Sequence, residues 1–255
     1  MSIESAFSDN GKRAALMPYL MGGFPSIEES AAAGLAAADA GADLLELGIP
    51  FSDPLADGPV IHAAATDALA AGATPHGVLG VCEQLAVKVP VVLMVYANIV
   101  LTAGASAFAL RAAAAGASGL IVPDLPHDEA DEVRAACDAE GLALVPLVAP
   151  TTTPERIASI GAGARGFVYT VSLTGTTGER EQLPKGLAET VERVRAATQV
   201  PVAVGFGIST PEQARTVADV ADGVIVGSRV VRAAGEGGAS AVGSVVAELA
   251  RALRY

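Results

Sequence analysis

The run Leu44-Leu45-Glu46-Leu47-Gly48-Ile49-Pro50-Phe51-Ser52-Asp53-Pro54-Leu55-Ala56-Asp57-Gly58-Pro59 begins as an apolar strand with a carboxylate in its middle. Taking an ionised carboxylate out of water costs several kcal/mol, so such a residue needs a partner or a task. Prolines and turn residues then stop the strand and return two more acids, Asp53 and Asp57, towards its end. Strand parity sets Leu44, Glu46 and Gly48 on one face, and Leu45 and Leu47 on the other. The leucines can face helices while Glu46 points into whatever the sheet encloses. A lone strand glutamate is usually an edge or ion-pair residue, but three acids around one strand terminus indicate proton chemistry.

Stepping outward, these residues need a scaffold. Residues 1–13 read as a helix that plugs one end. Apolar strands follow at 16–21, 42–49, 89–96, 119–122, 142–148, 166–171, 200–204 and 222–226. Helical segments separate them. Ser26-Ile27-Glu28-Glu29 and Thr210-Pro211-Glu212-Gln213 are capping boxes, and Thr153-Pro154 and Pro184 open further helices. A helix is also expected over about 59–71, another after Pro75, one through Ala112, one over 128–140 and a last one over about 240–253. Strands alternating with helices pair in parallel with right-handed crossovers, and eight of them predict a closed (β/α)8 TIM barrel in a single domain, 1–255. An open doubly wound sheet is the alternative, weakened by the absence of Gly-x-Gly-x-x-Gly after the first strand.

In a barrel the active site lies at the carboxyl ends of the strands. Glu46, Asp57, Tyr96, Asp124, Tyr169, Gly205-Phe206-Gly207 and Gly227-Ser228 all fall there. The last two clusters follow strands seven and eight, where backbone N–H groups and a short helix starting at Ser228 suit a phosphate. Glycines at these places also serve tight turns. Residues 173–181, rich in glycine and threonine, fit a closing lid, and composition alone fits a solvated loop equally well.

With a net charge of −12, the chain is a poor partner for nucleic acid or anionic membranes, and an anionic substrate must be held by local dipoles. Residues 1–4 lack a basic start or apolar run, and the longest apolar stretch is too short to span a bilayer, so a cytoplasmic location is expected. Cys82 and Cys137 have neither metal-ligand spacing nor a disulfide framework, which fits a reducing compartment. His62, His76 and His127 are read as surface or helix-end residues without a role. Lys12, Lys88 and Lys185 lie outside the strand interiors, against a lysine-dependent aldolase.

The 45–59 run resembles the signature of the tryptophan synthase alpha chain family. Met94-Val95-Tyr96-Ala97-Asn98, Val122-Pro123-Asp124-Leu125-Pro126, Tyr169-Thr170-Val171-Ser172, Thr174-Gly175-Thr176-Thr177-Gly178, Gly205-Phe206-Gly207-Ile208 and Val226-Gly227-Ser228 agree with it, over essentially the whole chain. The resemblance implies a (β/α)8 barrel that cleaves indole-3-glycerol phosphate to indole and glyceraldehyde 3-phosphate. It implies catalytic Glu46 and Asp57, with active-site Tyr169, and substrate contacts from Tyr19, Tyr96, Ile121, Thr177 and Phe206. Phosphate contacts fall to Gly178, Gly207, Gly227 and Ser228, and no metal is implied. Tyr19 stands where some members have phenylalanine, and Phe24 where some have aspartate. No cofactor is expected in this chain. Pyridoxal phosphate belongs to the partner beta chain, which takes up the indole in an alpha2-beta2 heterotetramer.

Breaking the carbon–carbon bond would expel an aryl carbanion unless indole C3 is protonated first. Glu46, with a pKa raised by an apolar barrel mouth, suits that general acid, and Asp57 suits the ring N–H. A stand-alone lyase releasing free indole, or another phosphosugar lyase or isomerase on the same barrel, are the competing functions.

Overall fold

The computed structural model describes residues 2–171, 186–205 and 207–254. Eight parallel strands form the sheet: β1 (Ala15–Met21), β2 (Leu45–Gly48), β3 (Val91–Met94), β4 (Gly119–Ile121), β5, β6 (Val168–Val171), β7 (Val202–Gly205) and β8 (Gly223–Val226). Strand β5 comes in two pieces, Ala143–Leu144 and Leu147–Val148. Its first piece pairs with β4 and its second with β6, so the two ends of the strand order belong to one strand and the barrel is closed. The break falls at Pro146, which has no N–H to donate to a ladder. The flanking groups are still satisfied: Val145 N donates to Leu120 O and Tyr169 N to Pro146 O, both at 2.9 Å.

Register fixes which side chains look inward. Tyr19 pairs with Glu46, Glu46 with Val92, and Met94 with Ile121. The interior-facing set includes Met17, Leu44, Val92, Ile121, Val145, Tyr169 and Ile225. Glu46 sits among them, as strand parity requires. Outward-facing Leu45, Leu47, Leu93 and Leu120 are fully buried beneath the helices, which is why these strands read as continuous apolar runs.

The N-terminal plug is shorter than expected. Helix α1 spans Ile3–Ser8, with Ser2 and Ser5 forming a reciprocal capping box. It stops there because the Asn10 side chain donates to the carbonyls of Ala6 and Phe7 at 3.0 and 3.1 Å. Ile3, Ala6 and Phe7 close the amino end of the barrel, with Phe7 tilted against Phe167 at 5.7 Å. Beyond it, Lys12 Nζ reaches both Asp43 oxygens at 2.6 and 2.7 Å, and both side chains are nearly buried.

The outer layer consists of α2 (Ile27–Asp39), α3 (Pro59–Ala70), α4 (Pro75–Ala86), α5 (Ala97–Ala103), α6 (Ala105–Ala114), α7 (Asp131–Ala139), α8 (Pro154–Ala162), α9 (Leu187–Arg195), α10 (Pro211–Ala218) and α11 (Ser228–Ala252). The single helix expected after β3 is two helices, bent by 101° at Gly104, which has φ +81°. The expected 128–140 helix begins as a separate 3-10 turn, His127–Glu129. Helix α11 contains the short helix and the final helix predicted after β8, joined through non-helical Gly237 and Gly238. No single helix among the described residues is long and apolar enough to cross a membrane.

Candidate active site

Glu46 is 1% exposed, and neither of its carboxylate oxygens has a hydrogen-bond partner among the described residues. Burial pushes its pKa up to about 8, and the nearby Asp57 charge pushes in the same direction. The group therefore carries its proton at neutral pH although it is a carboxylic acid.

Asp57 lies in the loop between β2 and α3, where Gly58 and Pro59 start the helix. Burial raises its pKa to about 6, against the lowering effects of a hydrogen bond from Tyr96 and the charge of His62. The Tyr96 hydroxyl also accepts from Ala56 N at 3.1 Å. The Tyr96 ring stacks on Phe51 at 5.2 Å and 26°. One tyrosine at the end of β3 thus pins both ends of the acidic loop. Burial and the Asp57 charge raise the pKa of that tyrosine in turn.

Two further tyrosines stand in the barrel mouth. Tyr19, on β1, is buried, and its pKa is raised by burial and then by Asp57 and Glu46. Its hydroxyl donates to Met21 Sδ at 3.9 Å. Tyr169, on β6, is raised by burial and then by Glu46. Each hydroxyl lies over a glycine of the neighbouring strand. A Cβ at Gly48 would fall 2.0 Å from Tyr19 Oη, and one at Gly205 would fall 2.3 Å from Tyr169 Oη. These glycines serve as slots for the tyrosines rather than as turns. Ile121 is fully buried and faces inward from β4.

Beside Tyr19, Gly227 precedes α11 and Ser228 is its first residue. Gly207 holds φ +83°. A helix start after one strand and a positive-φ glycine after its neighbour are suited to a phosphate. Thr177, Gly178, Phe206 and the expected lid at 173–181 lie outside the described residues.

The structure therefore brings Glu46, Asp57, Tyr19, Tyr96 and Tyr169 to one mouth, and corrects the reading of the acids. Asp53 is exposed, so two acids and not three make the cluster. Asp124 accepts from Ala97 N at 2.8 Å and caps α5. Sequence reasoning missed Phe51 and assigned no role to His62. The signal for both was position: Phe51 stands in the loop itself, and His62 lies in the first turns of α3, just beyond Asp57. Among the described residues, no group of three or more His, Cys, Asp or Glu could hold a metal ion.

Comparison with known proteins agrees with this geometry. The family model for the tryptophan synthase alpha chain matches residues 6–252. The chain is 50% identical to the tryptophan synthase alpha chain of Gloeobacter violaceus over 224 residues, covering 87% of this chain and 81% of that one. It is 47% identical to that of Synechococcus elongatus, covering 94% and 92%. A chain of Mycobacterium tuberculosis tryptophan synthase superposes with a TM-score of 0.92 at 41% identity, covering 99% of this chain and 97% of that one. The alpha subunit of Legionella pneumophila does so at 0.88 and 37%, covering 98% and 96%. On sequence, fold and site together, the chain belongs to the tryptophan synthase alpha chain family.

Proposed function

We propose that this chain cleaves indole-3-glycerol phosphate to indole and glyceraldehyde 3-phosphate by a retro-aldol step in which Glu46 carries the proton and Asp57 holds the indole nitrogen. The observation that carries the assignment is Glu46, buried without a hydrogen-bond partner among the described residues, with its pKa raised above that of the neighbouring Asp57. Two carboxyl groups whose surroundings push their pKa values apart divide acid and charge-stabilising roles between them.

Glu46 donates its proton to indole C3, which turns the ring into a C3-protonated iminium. The Asp57 carboxylate accepts a hydrogen bond from the ring N–H and stabilises the positive charge gathering there. Glu46, now ionised, takes the proton from the hydroxyl on the adjacent glycerol carbon. That oxygen becomes the aldehyde carbonyl, the C–C bond breaks, and its electron pair restores the aromatic ring. Indole and glyceraldehyde 3-phosphate leave, and Glu46 ends protonated as it began. Tyr19, Tyr96 and Ile121 line the ring's pocket, Tyr169 stands beside Glu46, and the family resemblance adds Phe206 to the pocket and Thr177 to the ordering of Asp57. Gly178, Gly207, Gly227 and Ser228 take the phosphate, matching a negative substrate to helix and turn N–H groups in a chain of net charge −12.

The partner is a beta chain carrying pyridoxal phosphate, in an alpha2-beta2 assembly in the cytoplasm, and the alpha chain needs no cofactor of its own. Support for a protein partner comes from two large apolar side chains at the mouth. Leu55, in the acidic loop, is 80% exposed and Leu101, on α5, is 49% exposed. Purified chain assayed on indole-3-glycerol phosphate, with and without a beta chain, tests the reading. Cleavage strongly accelerated by the beta chain is expected. Fast unaided turnover would make it a stand-alone lyase, and no indole in either arm would refute the assigned reaction.

A further inference from the structure

Arg229 follows Ser228 directly, in the first turn of α11. One arm of its guanidinium donates to the carbonyl oxygen of Ser209, in the segment after β7. The other meets Glu248 Oε2 at 2.6 Å, on the far half of α11 beyond its glycine break. A planar guanidinium can hold a carbonyl and a carboxylate at once, which a lysine ammonium does less rigidly.

Ser209 is clasped from its other side as well. Its N–H and its hydroxyl donate to Gln213 Oε1 at 2.8 and 3.2 Å, and Thr210 N donates to the same oxygen at 3.1 Å. Both Ser209 and Gln213 are buried. The segment running from Gly207 to Ser209 is thus bonded to α10 through Gln213 and to α11 through Arg229. The arginine ties it to the element that carries Gly227 and Ser228.

We propose that Arg229 is a positioning residue for phosphate, fixing the segment after β7 against the one after β8 so that their N–H groups converge on one anion. This rests on the phosphate site proposed above. It requires that Arg229 act through Ser209, since its guanidinium is already committed to a carbonyl and a carboxylate.

The test uses the full chain with glycerol 3-phosphate as probe, by calorimetry, and steady-state cleavage of indole-3-glycerol phosphate. Wild type is titrated first. If it fails to bind the probe, the phosphate site itself is wrong and the inference falls with it. Given wild-type binding, Arg229→Met should raise both the probe's Kd and the substrate's KM roughly tenfold, with kcat within about twofold. Arg229→Lys, which keeps the charge and one contact, should recover part of the loss. A purely structural role would lower the melting temperature and leave Kd and KM unchanged in folded protein. That result, or equal losses in kcat and in binding, would overturn the proposal.

Discussion

Glu46 and Asp57 act as one device, because the Asp57 charge adds to burial in raising the pKa of Glu46. Glu46 must be protonated to act as the acid, so activity falls as pH rises through about 8. Asp57 must be ionised to hold the ring N–H, so activity falls as pH drops through about 6. The expected kcat/KM profile is a bell between those limits, and Asp57→Asn changes both sides of it. The acid limb disappears with the carboxyl that caused it. The alkaline limb moves to lower pH, because the negative neighbour that disfavoured ionisation of Glu46 is gone. Turnover falls far more than binding of a substrate analogue, since charge gathers on the nitrogen mainly in the transition state. A residual profile with an unmoved alkaline limb would show that the two carboxyl groups do not interact.

Each element that positions this pair was visible in the sequence to a different degree. Strand parity alone put Glu46 on the inner face, and the Gly-Pro pair at 58–59 marked the start of α3, because period and capping are local properties. What stayed hidden depends on contacts between strands distant in sequence. Nothing local to Gly48 or Gly205 says that a tyrosine hydroxyl from the neighbouring strand lies over it. The split of β5 at Pro146 and the bend at Gly104 carried a signal in their residue types, yet the surrounding apolar runs outweighed it. The two acids Asp53 and Asp57 are alike in sequence, and the reach of Tyr96 and the charge of His62 distinguish the one that is held.

At the closed end of the barrel, Lys12 and Asp43 tie the segment before β1 to the start of β2, and Asp43 also accepts from Leu16 N at 2.7 Å. Removing one partner of a nearly buried pair leaves the other's charge unsolvated, so Lys12→Met should destabilise the fold by about 3 kcal/mol. Denaturant unfolding measures this. A change below about 1 kcal/mol would mean that water reaches Asp43 without cost.

For the molecule as a whole, the barrel separates its tasks by face. The amino end is sealed by α1 and the Lys12–Asp43 pair and supplies rigidity. The carboxyl end carries the acids, the tyrosines, the glycine segments after β7 and β8, and the exposed Leu55 and Leu101. If that face docks the beta chain, Leu101→Asp should weaken the complex about tenfold or more, as losing a buried apolar anchor does. Leu69→Asp, near the end of α3, serves as the matched control and should not weaken it. Sedimentation of the mixed chains decides between them, and equal affinities for the two variants would place the interface elsewhere.

In the proposed mechanism the buried proton on Glu46 performs the cleavage. Indole released from indole-3-glycerol phosphate by Glu46→Gln tests it most directly, because glutamine keeps the shape and loses the transferable proton. The expected result is a fall of roughly a thousandfold in indole formation, with the circular dichroism spectrum and glycerol 3-phosphate binding retained. Turnover within a few-fold of wild type in the folded variant would contradict it.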